Sequence, residues 1–482
     1  MLKHIFLLFL IGGLMLPFAR AQQDDIWSLQ ECIDYALEHN LNVKNAQLGL
    51  QTSAINLKEA RESRYPNLNG GVGLGLNQGR SIDPFSNDFT DVSVISSNFS
   101  LSASVTLFNG LRTHNSIKQS EIDLRANSLD LEQTKLDIQL QIALAYLNIL
   151  FNEELLASAE AQVAATKVQR ERTAKLVEAG TLAQNSLLEI ESQIATEELN
   201  VVNARNRLEQ SHLNLMQLLY LDPAQPFGIE KPDLESIEIA GSLLRLEELY
   251  SSAAATQPFI KSNELRIESA QLGEQIARSF YYPTLSFSAT ALTGYSSVTQ
   301  QVVGAEERVV SQSVMVSGVP GIEGSFPLTI SQTTLVPITD KTPYFDQLNN
   351  NRRAVFNFSL NIPIYNRRQV RSGVERADIA RKQAENTALL QRQNLNQNIQ
   401  QAYLDAQSAL ATYRQTQKLI EANELTFRNA ERQFNLGVIN SVDYLIAKTN
   451  LDRARYDLIR ARYDYFFRTK VLDFYQGKPL RF

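Results

Sequence analysis

Cysteine is nearly absent: the 482 residues contain one, Cys32, so no intramolecular disulfide can form. Histidine is scarce as well. His4, His39, His114 and His212 are the only four, and none has a partner at a metal-ligand spacing such as H-E-x-x-H. There is no P-loop, no G-x-S-x-G and no dinucleotide fingerprint; Gly70, Gly71, Gly73 and Gly75 lie inside a strand pattern with no helix start behind them. These gaps leave no catalytic residue, no cofactor and no metal to nominate, so the sequence does not read as an enzyme. Excess positive charge is lacking too. Lys and Arg total 46 against 52 Asp and Glu, a formal charge of −6, which argues against nucleic acid as a partner.

Long apolar runs are confined to the N-terminus, where Ile5–Leu16 is followed by Pro17 and Ala19-Arg20-Ala21. That pattern predicts a signal peptide over 1–21, cut before Gln22. Its loss removes Lys3 and Arg20 and takes the formal charge from −6 to −8. No later stretch approaches the roughly 20 apolar residues of a spanning helix, so membrane insertion must use strands. Cys32 follows Glu31, ten residues past the cleavage point, which is wrong for lipid attachment; it reads as a buried helix cysteine.

What is present is a duplication. Ala60-Arg61 and Tyr65-Pro66 recur as Ala277-Arg278 and Tyr282-Pro283, a shift of 217, and Leu29 falls on Leu246. Past residue 105 the shift becomes 257, pairing Asn109 with Asn366, Ala145-Tyr146-Leu147 with Ala402-Tyr403-Leu404, and Gly180 with Gly437. The 40-residue difference is an insertion between 296 and 352. The pattern predicts a first repeat over 22–221, a proline-bearing connector over 222–243, a second repeat over 244–476 and a tail over 477–482.

Each repeat reads as helix, strand, loop, strand and two further helices. Strands are predicted at about 66–76, 98–108, 283–293 and 354–365, because apolar residues alternate with small polar ones: Leu68, Val72, Leu74 and Leu76 against Asn67, Asn69 and Gly71, and Phe356, Phe358 and Leu360 against Asn357, Ser359 and Asn361. About ten residues with one apolar and one polar face suit a membrane barrel strand with a wet lumen. The flanking helices are long and polar and offer no apolar layer to cover such a sheet. Four strands cannot close around water, since small barrels need about eight, so closure requires several chains.

From Asn109 to about Glu178 there is no proline, and Leu129, Leu136, Ala143, Leu150, Ala157 and Ala164 recur every seven residues. Such a heptad stripe, on a helix of about 100 Å, demands partner helices. Gly180 and Gly437 break the long helices. Thr181 and Gln184 form a capping-box pattern for the first return helix, and Asn440 an N-cap for the second.

Ser28-Leu29-Gln30-Glu31-Cys32 with Ala36-Leu37, Ala60-Arg61 with Tyr65-Pro66, and the tips Leu176–Gly180 and Gln433–Gly437, repeated in order, resemble the outer-membrane efflux protein family, the TolC-like outer-membrane factors. The resemblance covers essentially the whole mature chain. It implies a mainly α protein with transmembrane β: a homotrimer whose chains each give four strands to a 12-stranded outer-membrane β-barrel in outer-membrane lipid, with long antiparallel coiled-coil helices forming a periplasmic α-barrel. It also implies partners, a periplasmic adaptor and, through it, an inner-membrane transporter. On that pattern Gly180, Thr181 and Leu182, with Gly437, Val438 and Ile439, face the adaptor.

Family members often carry acids at the sixth and ninth positions after the second tip glycine. Here those positions hold Asp443 and Ile446, and the first repeat has Ser186 and Glu189, so the resemblance implies a periplasmic gate at Asp443 with Glu189 as second candidate. Both also suit ordinary helix starts, Asp443 at the third position of a helix capped by Asn440 and Ser186 with Glu189 as a capping pattern. The expected function is passive conduction in a tripartite efflux system. Protein secretion of the type I kind, and a non-conducting periplasmic coiled-coil scaffold, stand as alternatives.

Overall fold

The computed structural model describes residues 26–480 apart from 84, 86, 88, 92, 225, 233–244, 318, 319 and 321–324. The expected signal peptide, much of the connector and the last two tail residues therefore lie outside the described residues. In chain order the first half holds β1 (Ile26–Trp27), α1 (Leu29–His39), α2 (Leu41–Glu62), β2 (Asn67–Asn77), β3 (Ser81–Ile82), β4 (Phe89–Thr90), β5 (Val94–Phe108), α3 (Arg112–Glu178), α4 (Gln184–Leu219) and β6 (Gly228–Ile229). The second holds α5 (Leu246–Thr256), α6 (Pro258–Ser279), β7 (Thr284–Ser296), β8 (Gln300–Val316), β9 (Phe326–Lys341), α7 (Tyr344–Asn350), β10 (Arg353–Asn361), α8 (Gln369–Asn435) and α9 (Ser441–Tyr475). The described residues form two compact units, one within Met1–Asn56, Ser120–Ala270 and Ala380–Phe482, the other within Leu57–Gln119 and Gln271–Ile379.

The first unit is helical, and its two cores repeat. Cys32 and Ala36 of α1 pack with Ile138, Ile142 and Ile149 of α3 and Leu215 of α4. Leu249 and Ala253 of α5 pack with Leu395, Ile399 and Ala406 of α8 and Leu472 of α9. Every pair of counterparts is separated by 217 or 257 residues. Cys32 thus stands where the second copy has leucine. Burial is the main reason its thiol is pushed up to about 12, with the Glu31 charge adding to it, so it stays an unreactive apolar filler.

Ser28 closes a full capping box on α1, its hydroxyl accepting from the Glu31 amide while the Glu31 carboxylate accepts from the Ser28 amide. The connector returns to this corner. β6 pairs in parallel with β1, and the Tyr146 hydroxyl donates to the Glu230 carbonyl at 2.6 Å.

Two expectations for the long helix need correction. The seven-residue stripe is buried at Ala143 and Leu150, but Ala157 and Ala164 are exposed and the buried face passes to Leu155, Val163 and Thr166. A straight helix at 3.6 residues per turn drifts off a strict heptad, and that drift moves the seam. Secondly, α3 does contain an 18-residue window of mean hydropathy 1.2, 44% buried, that passes for a membrane span by length and composition. In this fold the most apolar part of α3, around Ile142, Leu147 and Leu150, is core.

The second unit carries an antiparallel four-stranded sheet in the order β10-β7-β5-β2. Residues in register share a face, so Leu68, Ala103, Ala289 and Phe356 form one row and Asn67, Ser104, Ser288 and Asn357 the next, on the opposite face. The apolar face is bare: Val72 is 73% and Leu74 83% exposed. On the polar face the Asn98 amide lies over Gly73, where a Cβ would fall 2.2 Å from its oxygen and would have to turn that side chain aside. The strands are offset from expectation. β5 starts four residues early at Val94, and β10 ends at Asn361, because Pro363 cannot donate to a ladder.

The 296–352 insertion is more than a loop. Among the described residues β8 and β9 pair only with each other, as a two-stranded ribbon in which Gln300 opposes Lys341. Its base is closed by the Thr342 amide donating to the Thr299 carbonyl at 3.1 Å. Gln347 of α7 clamps that base to β7, accepting from the Ser296 amide at 2.9 Å and donating to the Ser296 and Thr342 carbonyls at 3.0 and 2.9 Å.

Candidate functional site

The two hairpin tips have the same geometry. Gly180 and Gly437 adopt φ of 74° and 73°, a conformation open to glycine and costly to side chains with a Cβ. The Gly180 amide donates to the Val177 carbonyl and the Thr181 amide to Leu176, and in the second hairpin Gly437 donates to Phe434 and Val438 to Gln433. Both are Schellman closures, which satisfy the last carbonyls of α3 and α8.

Around them Leu436 is 79% exposed and Val438 69%. Gly180, Thr181 and Gly437 are exposed as well, while Leu182 and Ile439 are half-buried. The expected capping box fails here: the Thr181 hydroxyl donates back to the Leu176 carbonyl at 2.7 Å, and α4 starts behind Ala183 with no side-chain cap. Thr181 finishes one helix and does not start the next.

The starts of α4 and α9 meet. Ser441 Oγ donates to Glu189 Oε2 at 2.6 Å and lies 3.1 Å from Ser186 Oγ, while Asn185 donates to Glu189 Oε1 at 2.8 Å. Glu189 is therefore held by two neighbours, and Ser186 is buried against α9, not capping a helix. Asp443 is different. Its amide donates to Asn440 Oδ1 at 2.9 Å, placing it at the third position of α9, and its carboxylate is exposed.

Deeper along the same seam lies a polar layer that the sequence reading missed. Lys448 donates to Glu197 at 2.6 Å and to Asp452 at 2.7 Å; Glu197 also accepts from Thr166 at 2.5 Å and Gln193 at 2.9 Å. Burial raises the Asp452 carboxyl above its usual range, against the pull of Lys448. The signal was available: Ser441, Tyr444, Lys448 and Leu451 follow a 3-4-3 spacing, which puts a lysine on the buried stripe. Among the described residues no group of His, Cys, Asp and Glu could hold a metal ion.

The family model for outer membrane efflux proteins matches residues 32–219 and 249–466. The chain belongs to the outer membrane efflux protein family. Outer membrane protein TolC of Escherichia coli (strain K12) is 22% identical over 463 residues, covering 95% of this chain and 83% of TolC. Among solved structures, the outer membrane protein VceC from Vibrio cholerae superposes with a TM-score of 0.73 at 14% identity, covering 94% of this chain and 97% of VceC. The CmeC outer membrane channel of Campylobacter jejuni gives 0.68 at 16%, covering 93% and 85%.

These likenesses establish the fold, and family membership establishes the compartment. As an outer membrane efflux protein, the chain resides in the outer membrane with its helices in the periplasm.

Proposed function

We propose that this chain is the outer-membrane channel of a tripartite efflux system, a homotrimer that passively conducts substrates delivered by a periplasmic adaptor and an inner-membrane pump. The observation that carries the reading is the sheet. Its two outer strands, β10 and β2, each have one unpaired edge, and its faces differ in polarity. An apolar face needs lipid and an open edge needs a partner strand, so three copies closing twelve strands meet both demands. The chain then divides into two repeats, 22–221 and 244–476, joined by 222–243, and its long helices line up with those of the other copies as a periplasmic barrel.

Within that reading the tips, Gly180, Thr181, Leu182, Gly437, Val438 and Ile439, receive the adaptor. Asp443 is the gate carboxylate, its exposure supporting the role. Glu189 contributes less, because Ser441 and Asn185 already hold its oxygens. Planar-bilayer recording on the purified protein tests the reading. Cation-conducting channels are expected; silence under every condition, adaptor included, would overturn it in favour of a non-conducting scaffold.

A further inference from the structure

Four corners, where strands meet helices, lie at one end of the sheet, as the pairs Asn67–Ser104, Phe108–Leu285 and Thr284–Asn361 fix. Their segments, 60–66, 109–116, 277–283 and 362–371, hold seven arginines and one acid, Glu62, in a chain of net charge −6. The other end, over 77–94 and 341–353, has four cations and four acids. The imbalance is local, and it is made of guanidinium.

Carboxylates neutralise some of these arginines: Arg278 pairs with Glu274, and Arg368 and Arg371 share Glu375. Arg64, Arg112 and Arg367 have no carboxylate partner among the described residues. Arg112 instead lies 4.7 Å from the centre of the Phe280 ring, which holds the head without discharging it. Tyr65, Tyr281, Tyr282 and Tyr365 stand exposed beside them, and the bare apolar residues Leu68, Phe108, Phe358 and Leu360 begin immediately above. Apolar wall, tyrosines and arginines in that order match the depth profile of a leaflet from acyl chain to phosphate. Guanidinium forks match the oxygens of a phosphate bidentately.

We propose that these corners form a belt that binds the phosphates of anionic phospholipids in the periplasmic leaflet, with Arg64, Arg112 and Arg367 as direct contacts. This rests on the reading that the sheet spans the outer membrane. The test is native mass spectrometry of the full-length protein mixed with equal phosphatidylglycerol and phosphatidylcholine. Wild type should retain the anionic lipid in excess, each arginine contributing a factor of about five. Arg64→Gln/Arg112→Gln/Arg367→Gln should abolish the excess, whereas Arg80→Gln/Arg353→Gln at the other end should keep it. Equal retention of both lipids by wild type, an undiminished excess in the triple variant, equal loss in the control variant, or displacement by inorganic phosphate alone would overturn the belt. Bilayer conductance, measured alongside, separates the cases: a wild type that conducts without lipid preference leaves the channel reading standing, and a triple variant that conducts has assembled.

Discussion

The Lys448 ammonium and the Glu197 carboxylate meet at 2.6 Å with their side chains only 6% and 3% exposed, which makes them a fully desolvated ion pair between α9 and α4. Asp452 adds a second carboxylate to the same lysine, so the cluster holds two negative charges against one positive. Removing the lysine leaves both carboxylates buried without it, the costly case for a buried pair. Lys448→Met should therefore lower helical stability by about 3–5 kcal/mol. Glu197→Gln should cost only about 1 kcal/mol, because the amide still accepts from Thr166 and leaves Lys448 to Asp452. Urea unfolding followed by circular dichroism checks the order; equal losses would contradict it.

Asp443 and Glu189 should separate in ion selectivity. Asp443→Asn removes an exposed charge, and is expected to reduce the cation-over-anion permeability ratio roughly twofold and weaken block by multivalent cations. Glu189→Gln should change it little. Reversal potentials in asymmetric salt measure both, and unchanged selectivity in the Asp443 variant would leave that carboxylate as a helix-start residue alone.

The tip glycines test backbone against surface. Gly437→Ala adds a Cβ that meets nothing within 4 Å, so its whole penalty, about 1–2 kcal/mol, comes from φ of 73°. Hydrogen exchange should quicken over 433–440 and nowhere else. Val438→Asp keeps the backbone and should instead weaken adaptor capture while conductance is retained.

His212 gives a pH dependence with a definite sign. Burial chiefly lowers its pKa, with Glu153 pulling the other way, so the fold prefers the neutral ring. Stability from this residue is complete above its ordinary value of 6.5 and is lost as pH falls through it toward the lowered one. Asp452, raised by burial, acts oppositely, its penalty disappearing as pH drops toward 3.8. Melting curves from pH 7 to 5 should fall less steeply for His212→Gln than for wild type.

Excising 300–341 and joining Thr299 to Thr342 should leave assembly and conductance intact, since the ribbon pairs only with itself and those two residues already share a hydrogen bond. Protease added to intact cells should cut wild type in this region and spare the deletion.

Legibility in the sequence followed periodicity. The alternation in 66–76 and 98–108 gave both strands within four residues, and the duplication marked by the shifts of 217 and 257 reappears in the structure as two cores filled by counterpart residues. The ribbon was invisible because Val302-Val303 and Val309-Val310 set apolar residues side by side, and a two-stranded element with both faces in solvent needs no alternation. Thr181 misled because a threonine three residues before a glutamine fits a helix start, yet its hydroxyl found a nearer free carbonyl at the end of α3. Family likeness pointed to Glu189, and only side-chain geometry showed Ser441 occupying it.

The closed base at Thr299 and Thr342 has an evolutionary corollary. A segment whose two ends already touch is a cassette: it can lengthen, shorten or be exchanged between lineages while the strands beneath keep their register. Under the proposed channel reading, with the ribbon outside the cell, antibodies or phages that select against one ribbon would be escaped by rewriting some forty residues, with the four-stranded sheet carrying none of the mutational load.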